Sequence, residues 1–378
     1  MKNDSYSIYG IIPPHMAERI MEKGTAGQKK KAEAYIRIAG QMRGQRQQLS
    51  ELTRKAEAAL GERVRKLYDA RNGTELPGTL VRSEGDAPTG DAAVSEAYDG
   101  SGATYDLYAE VFGRNSIDNR GMDLKSTVHF MEGYDNAFWN GEQMVYGDGD
   151  EDMPEEERLF NRFTVAIDII AHELTHGVTQ YEANLVYRDQ AGALNESISD
   201  VFGSLVKQRV KNQAAGEADW LIGEGLFTAQ VNAQGIRSMK APGTAYDDPL
   251  LGRDPQPGHM DDYVDTPADN GGVHINSGIP NKAFYEVAIE LGGFAWEKAG
   301  LIWYKTLCEE LDQDSGFQAA ANLSHKVAGN LYGNNSPEQQ AVFNGWKAVG
   351  IIPEADQRQG CSGFVRRTWR SIFGRGNS

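Results

Sequence analysis

Two cysteines in 378 residues, Cys308 and Cys361, cannot staple a chain of this size, so its stability must come from a buried core. No apolar run reaches the about 18 residues that a membrane-spanning helix needs. The opening Met1-Lys-Asn-Asp-Ser-Tyr6 is polar and lacks an apolar stretch ending in a small-residue cleavage site, so no ordinary secretory signal is expected. Either a cytoplasmic protein or export by a non-standard route fits that start. Internal repeats are absent too. Basic residues are few, 38 Lys+Arg against 54 Asp+Glu, and unevenly spread. Residues 1–66 carry a net +7 and residues 357–378 a net +5, which against a total of −16 leaves −28 for residues 67–356. A body that acidic excludes nucleic acid as its partner.

What is present is an ordinary globular composition, 40% hydrophobic and 24% charged, long enough for two domains and an appendage. The stretch that organises the chain is Asp168-Ile-Ile-Ala-His-Glu-Leu-Thr-His-Gly177. On a helix His172 and His176 project from one face, close enough to bind one metal ion, while Glu173 sits about a quarter-turn round. Placed beside the metal, Glu173 can take a proton from water and pass it to a leaving amine. H-E-x-x-H occurs by accident in about one percent of chains of this length, so context decides. The apolar run from Phe163 to Ala171, without Gly or Pro, predicts a helix buried through the middle of a domain.

A tetrahedral catalytic zinc needs three protein ligands and one open position. Gly192-Ala-Leu-Asn-Glu-Ser-Ile-Ser-Asp-Val-Phe-Gly203 reads as a second helix, reached by a loop over 184–190, with Glu196 and Asp200 on one face. Glu196 is the candidate third ligand. Asp200, one turn further on, is placed to accept the free ring N–H of a ligating histidine and fix its tautomer.

These two stretches, with Asn136-Ala-Phe-Trp139 through Asp150 and Asp269-Asn-Gly-Gly-Val-His274 through Gly278, resemble the thermolysin family of zinc endopeptidases over about residues 68–352. The resemblance implies an α+β fold of two domains, β-rich then α-helical, with one zinc in the cleft between them. It implies that Asn136 and the Ala137 carbonyl bind substrate backbone as an added strand. His274 and Tyr187 stand at the positions that stabilise the oxyanion, Asp269 at the carboxylate that keeps His274 protonated, and Arg237 at the arginine that holds the carbonyl after the cut. Phe160, Phe163, Ile169, Ile222, Leu226 and Ile236 align with the pocket for the side chain after the cut. All are apolar, which predicts a preference for bulky apolar residues there. The family's paired calcium is not expected, because Lys207 and Leu221 replace acids and a lysine defeats a site needing surplus negative charge.

The leader resembles that of the protealysin-like branch, in which a short pro-segment with a Pro-Pro motif blocks the site until it is removed. Pro13-Pro14-His15-Met16 matches, within an extended segment, and helix is expected from Ala17 to about Leu60, broken near 24–27. The expected organisation is a propeptide over 1–66, a catalytic domain over 67–183, a helical domain over 184–352 and a basic tail over 353–378. Strands are predicted over 79–82 and 127–131, and helices over 92–112, 281–291, 296–311, 317–332 and 337–349. The tail has Phe364, Val365, Trp369, Ile372 and Phe373 on one side of a helix flanked by arginines, a pattern suited to contact with an acidic surface. Partners are therefore protein or peptide substrates and the protein's own propeptide; the family resemblance favours secretion. Two alternatives stay open on the residues: a zinc aminopeptidase, although no Gly-x-Met-Glu-Asn stretch is present to capture a free amine, and a permanently blocked binding protein.

Overall fold

A computed structural model describes residues 10–50 and 61–354, the side chains of residues 39–50 excepted. The leader forms α1 (Pro14–Lys23) and α2 (Ala26–Ser50). There follow β1 (Arg65–Asp69), β2 (Thr79–Ser83), α3 (Ala92–Asp106), β3 (Leu124–Val128), β4 (Ala137–Trp139), β5 (Met144–Tyr146) and α4 (Ile167–Tyr181). The second half holds α5 (Asp189–Lys211), short paired strands β6 (Leu221–Ile222), β7 (Arg237–Ser238), β8 (Asp247–Asp248) and β9 (Gly252–Arg253), then α6 (Asp269–Asn276), α7 (Gly278–Leu291), α8 (Ala299–Lys305), α9 (Phe317–Tyr332) and α10 (Pro337–Ala348).

The five-stranded sheet runs β2-β1-β3-β5-β4, which leaves β4 on an edge. Pairing is antiparallel at both margins and parallel from β1 through β3 to β5. Helix ends follow local chemistry. Asp91 caps α3 by accepting the Val94 N–H, Ser336 caps α10 with Pro337 in its first turn, and Asn212 closes α5 in the left-handed conformation. α4 and α5 form the spine. Every residue of α4 from Asp168 to Gln180 is buried, and α5 can lie close against it because Gly203 has no side chain: a methyl there would sit 2.6 Å from the Asp168 carbonyl oxygen.

The two-domain α+β expectation matches this architecture, with β-rich and helical halves meeting at α4 and α5. Several elements differ from the sequence reading. α1 begins at Pro14 rather than Ala17, since proline suits the first helical position; residues 51–60 lie outside the described region. β1 starts at Arg65 and is paired on both sides, with β2 and with β3. β3 ends at Val128, short of Met131, because His129 and Met131 have φ of +54° and leave the extended region. α4 begins only at Ile167, since Phe163 N–H is drawn to the Gly147 carbonyl and the Thr164 hydroxyl to Glu96. Residues 212–268 contain β-hairpins that the helical reading of the second half did not foresee.

Candidate metal centre and cleft

α4 carries His172, Glu173 and His176 to the middle of the molecule, and α5 brings Glu196 and Asp200 against them. The three are 0–2% exposed. His172 Nε2 and His176 Nε2 lie 3.1 Å apart, and the Glu196 carboxylate oxygens lie 3.4 and 3.3 Å from them. A tetrahedral zinc with bonds of about 2.0–2.1 Å has edges of about 3.3–3.4 Å, and these separations are near that length, with Glu196 reaching each imidazole through a different oxygen. The opposite ring nitrogens are already engaged. His172 Nδ1 faces Asp200 Oδ1 at 2.8 Å; His176 Nδ1 faces Asn195 Oδ1 at 2.9 Å and Ser199 Oγ at 3.1 Å. Both Nε2 atoms are thereby turned toward the shared point, and the donor set fits zinc.

Glu173 belongs to the same cluster, its carboxylate within 4.8 Å of both imidazole nitrogens. Glu196 makes the better third ligand, because its two oxygens face both Nε2 atoms while Glu173 Oε2 accepts the Trp139 backbone N–H at 3.1 Å. Glu173 Oε1 is buried with no hydrogen-bond partner among the described residues, an acceptor left for something that enters the cleft. Burial works against charge here and is overruled. It would lower the His172 pKa, yet Asp200 and Glu196 push it up to about 9; it would raise Glu196, yet His274 and His176 hold that carboxyl well below its usual range.

The Glu196 side of the centre is lined by donors. Tyr187 Oη donates to Glu196 Oε1 and lies 3.2 Å from His274 Nε2. Asp269 Oδ1 lies 2.7 Å from His274 Nδ1 and its Oδ2 accepts the His274 backbone N–H at 2.8 Å, so Asp269 and Glu196 hold His274 toward its charged form against burial. That loop is strained: Asp269 and Asn270 have φ of +52°, followed by two left-handed glycines. Gly271 suits that loop because its φ of +87° is a conformation that L side chains rarely adopt.

Arg237 is buried, 1% exposed. Its Nε and Nη2 form a bidentate pair with Asp200 at 2.8 Å each, and Asn281 Nδ2 adds a third donor at 2.8 Å. Burial would raise the Asp200 carboxyl, but Arg237 and His172 bring it down to about 2. The leader lies along the edge of β4. Ile11 N–H donates to the Ala137 carbonyl at 3.3 Å, Ile12 N–H to Asn136 Oδ1 at 3.2 Å, and Arg237 Nη1 to the Ile11 carbonyl at 3.2 Å. These three contacts use the residues expected to grip substrate backbone. Pro13 and Pro14 do not make them; they start α1, and the two apolar residues before them enter the cleft.

The six pocket residues are at most 1% exposed and belong, with Ile11 and Ile12, to one contiguous apolar cluster. Phe160 and Phe163 rings pack at 5.8 Å, and Ile236 and Ile169 converge on Gly223, where a methyl would lie 2.9 and 3.6 Å from their Cδ1 atoms. Lys207 Nζ lies 3.0 Å from Asp168 Oδ2 and 2.8 Å from Asp219 Oδ1 and donates to the Leu221 carbonyl at 2.7 Å. Glu196 is not a partner of Lys207, because it is turned to the imidazoles. An ammonium seated there does not fit a calcium pair. The residues that sequence reasoning missed are Asn195, Ser199 and Asn281, the Trp139 N–H, and the leader side chains Ile11, Ile12, Lys31 and Tyr35. Of these only Asn195 and Ser199, beside Glu196 on the same helix, carried a local signal.

Comparison with known proteins gives the same family. Residues 25–180 match the model of the thermolysin metallopeptidase catalytic domain, and residues 183–351 that of its alpha-helical domain. An extracellular metalloprotease of Pectobacterium carotovorum subsp. carotovorum is 48% identical over 92% of this chain and 97% of its own; Protease PrtS of a Photorhabdus species is 55% identical over 78% of each. The solved precursor of protealysin, a metalloproteinase from Serratia proteamaculans, superposes with a TM-score of 0.80 at 52% identity, covering 91% of this chain and 99% of that one. The chain belongs to the thermolysin family of zinc metalloendopeptidases, hydrolases of peptide bonds.

Proposed function

We propose that this endopeptidase is made as a self-inhibited precursor and cuts before bulky apolar residues. The observation that carries the reading is Ile11-Ile12, whose backbone takes the Ala137 carbonyl, Asn136 and Arg237 as a bound peptide would. Ile11 is fully buried, which suits a pocket lined by Phe160, Phe163, Ile169, Ile222, Leu226 and Ile236. Each such side chain gains roughly 1.5–3 kcal/mol on burial, and a charged residue would forfeit that and be desolvated unpaired.

His172, His176 and Glu196 would hold zinc, which supplies Lewis acidity: it makes water acidic enough to lose a proton near neutral pH and polarises a carbonyl. Glu173 Oε1 takes the proton from that water while Oε2 stays anchored on Trp139, then delivers it to the departing amine. His274, kept protonated by Asp269, and the Tyr187 hydroxyl donate to the oxygen on which negative charge develops. Asp200 fixes the tautomer of His172 and orients Arg237. The leader's approximate boundary near 66 and the division at 183/184 remain part of this reading, as does contact of the basic tail, outside the described residues, with an acidic surface. Work outside the cell is supported by the Pectobacterium relative's designation as extracellular.

The test is direct. Purified chain, incubated alone, should shorten by about fifty to seventy residues, the span of the leader's distinct composition, and then hydrolyse a generic protein substrate in a chelator-sensitive manner. Glu173→Ala should abolish both; undiminished activity in that variant would sink the mechanism.

A further inference from the structure

Beneath α2 lies a second apolar cluster, separate from the main core and shared between leader and body. The body supplies Phe130, Tyr134, Phe138 and Val145, all 0–3% exposed; the leader supplies Ala17, Tyr35 and Ile38. The three body rings pack edge to face at 5.3–5.9 Å, and Tyr35 meets Tyr134 at 6.2 Å. Beside this patch is an acidic notch. Lys31 Nζ enters it, 3.0 Å from the Gly149 carbonyl, 3.0 Å from Asp150 Oδ1, 2.6 Å from Asp152 Oδ1 and 3.8 Å from Asp135 Oδ1. The approach is close: a methyl at Gly133, whose φ is +66°, would lie 2.8 Å from Lys31 Cε. Lys31, Tyr35 and Ile38 follow the i, i+4, i+7 spacing of a single helix face.

We propose that this surface, vacated when the leader leaves, is an exosite for protein substrates: it binds an amphipathic helix presenting a lysine or arginine, an aromatic and an aliphatic residue at i, i+4 and i+7. The proposal rests on the precursor reading above. Three observations support it. Asp150 and Asp152 around one ammonium leave an excess of negative charge that a basic helix complements, while burial drives the Asp135 carboxyl well above its ordinary range. Three near-perpendicular aromatic rings bared together form the kind of patch that monomers rarely leave uncovered. Phe138 is the middle residue of β4, directly after Asn136 and Ala137, which grip backbone in the cleft, so a helix seated here is tethered next to the site of cutting. Tyr35 already makes that link in the leader, its hydroxyl donating to the Ile12 carbonyl at 2.8 Å.

The experiment uses enzyme matured from the full chain and a helix-locked peptide of residues 26–38, which lacks the cleft-binding Ile11 and Ile12, with its integrity followed by mass spectrometry. Expected are saturable binding and competition against cleavage of a folded protein substrate, with kcat/KM for a short chromogenic peptide unchanged. Lys31→Glu in the peptide, or Asp152→Lys in the enzyme, should weaken binding by about tenfold or more, and Asp152→Lys should lower kcat/KM for the protein substrate alone. The proposal is overturned by a peptide that fails to bind while Asp152→Lys cleaves protein normally. Equal inhibition of short and long substrates overturns it in favour of the cleft, and a mature enzyme that sediments as a dimer with this face covered overturns it in favour of a second copy. A chain that never shortens removes the precursor reading and the exosite together, because the surface is then never bared.

Discussion

Lys207 offers the sharpest test of how this fold is held near its metal centre. Its ammonium is 5% exposed and pairs with Asp168, 1% exposed, at 3.0 Å and with Asp219 at 2.8 Å. Burial would lower the Lys207 pKa, but Asp168 and Asp219 raise it, which favours the ammonium form. Lys207→Met removes the cation and leaves the Asp168 carboxylate buried, a loss of about 3–5 kcal/mol for breaking one side of a buried pair. For a chain of this length the conversion is about 1–2 °C per kcal/mol, so the apparent melting temperature should fall by roughly 3–10 °C. Asp168 sits on α4 one turn before His172, so the loss falls on the metal-bearing helix. Burial already drives the Asp168 carboxyl above its ordinary value, the direction in which folding favours its protonated form. Without Lys207 that drive grows; the deficit should therefore shrink as pH falls from 8 toward 5, because protonation of Asp168 relieves the buried charge.

The assay is thermal unfolding in a Glu173→Ala background, which prevents self-digestion, with and without millimolar calcium. The unaltered chain should be indifferent to calcium, because its own ammonium occupies the acids that a calcium pair would need. An unchanged melting temperature for Lys207→Met, or a several-fold longer half-life of the unaltered enzyme in calcium, would refute the reasoning.

Asp200→Asn should weaken zinc binding by about 10–100-fold, read by competition with a chromogenic chelator, because a neutral amide holds His172 and Arg237 less firmly. Maturation should respond to acid through His15, whose Nε2 lies 2.7 Å from Tyr246 Oη and which burial lowers to about 4, with Asp269, His274, Arg237 and Arg19 also facing it. The docked leader keeps this ring neutral, so docking is fully favoured above pH 6.5 and weakens as pH falls from 6.5 toward 4; in the Glu173→Ala chain, hydrogen exchange over residues 10–38, corrected for intrinsic rate, should rise from pH 7.5 to 5.5, and His15→Phe should flatten that rise. Ile236→Asp should cut kcat/KM for peptides with Leu after the cut by at least about tenfold, while a peptide library showing wild-type preference for cleavage before Lys or Asp would refute the pocket. Deleting residues 357–378 should leave hydrolysis intact, measured on the short chromogenic peptide, since every group placed at the centre lies before residue 282.

How much of this was legible in the sequence follows chain separation. His172, Glu173 and His176 were readable because a helix fixes their relation within four residues, and Glu196 with Asp200 because a second helix does the same. Asp269 and His274, five apart, were readable by resemblance. The contacts that complete the site join residues much further apart: Trp139 to Glu173 across 34 residues, Arg237 to Asp200 across 37, Asn281 to Asp200 across 81, Lys31 to Asp150 across 119. No local periodicity encodes these, and an arginine between short loops reads as a surface residue until its partner is known. The leader shows a second limit. Pro13 and Pro14 are conspicuous in the text, yet Ile11 and Ile12 grip the cleft through backbone groups that every residue possesses, so their identity carries no signal of that contact.

Asp200 ties the two halves of the chemistry together. One oxygen takes the His172 ring and an Arg237 N–H, the other takes Arg237 Nε and Asn281, so all its strong acceptor directions are filled by donors. Because Asp200 accepts from His172 Nδ1, the proton of a neutral ring resides there and Nε2 is left bare toward Glu196 and the metal position. Because it also clamps two arms of the guanidinium, the third arm, Nη1, is aimed at the carbonyl held in the cleft, the role Ile11 now fills. With its carboxyl brought down to about 2 by Arg237 and His172 over the opposing effect of burial, Asp200 stays charged throughout any working range. Metal-ligand orientation and the grip on the peptide carbonyl are therefore fixed by one carboxylate, and a change at Asp200 must disturb both at once, whereas a change at Arg237 or Asn281 can loosen the grip while His172 keeps its partner.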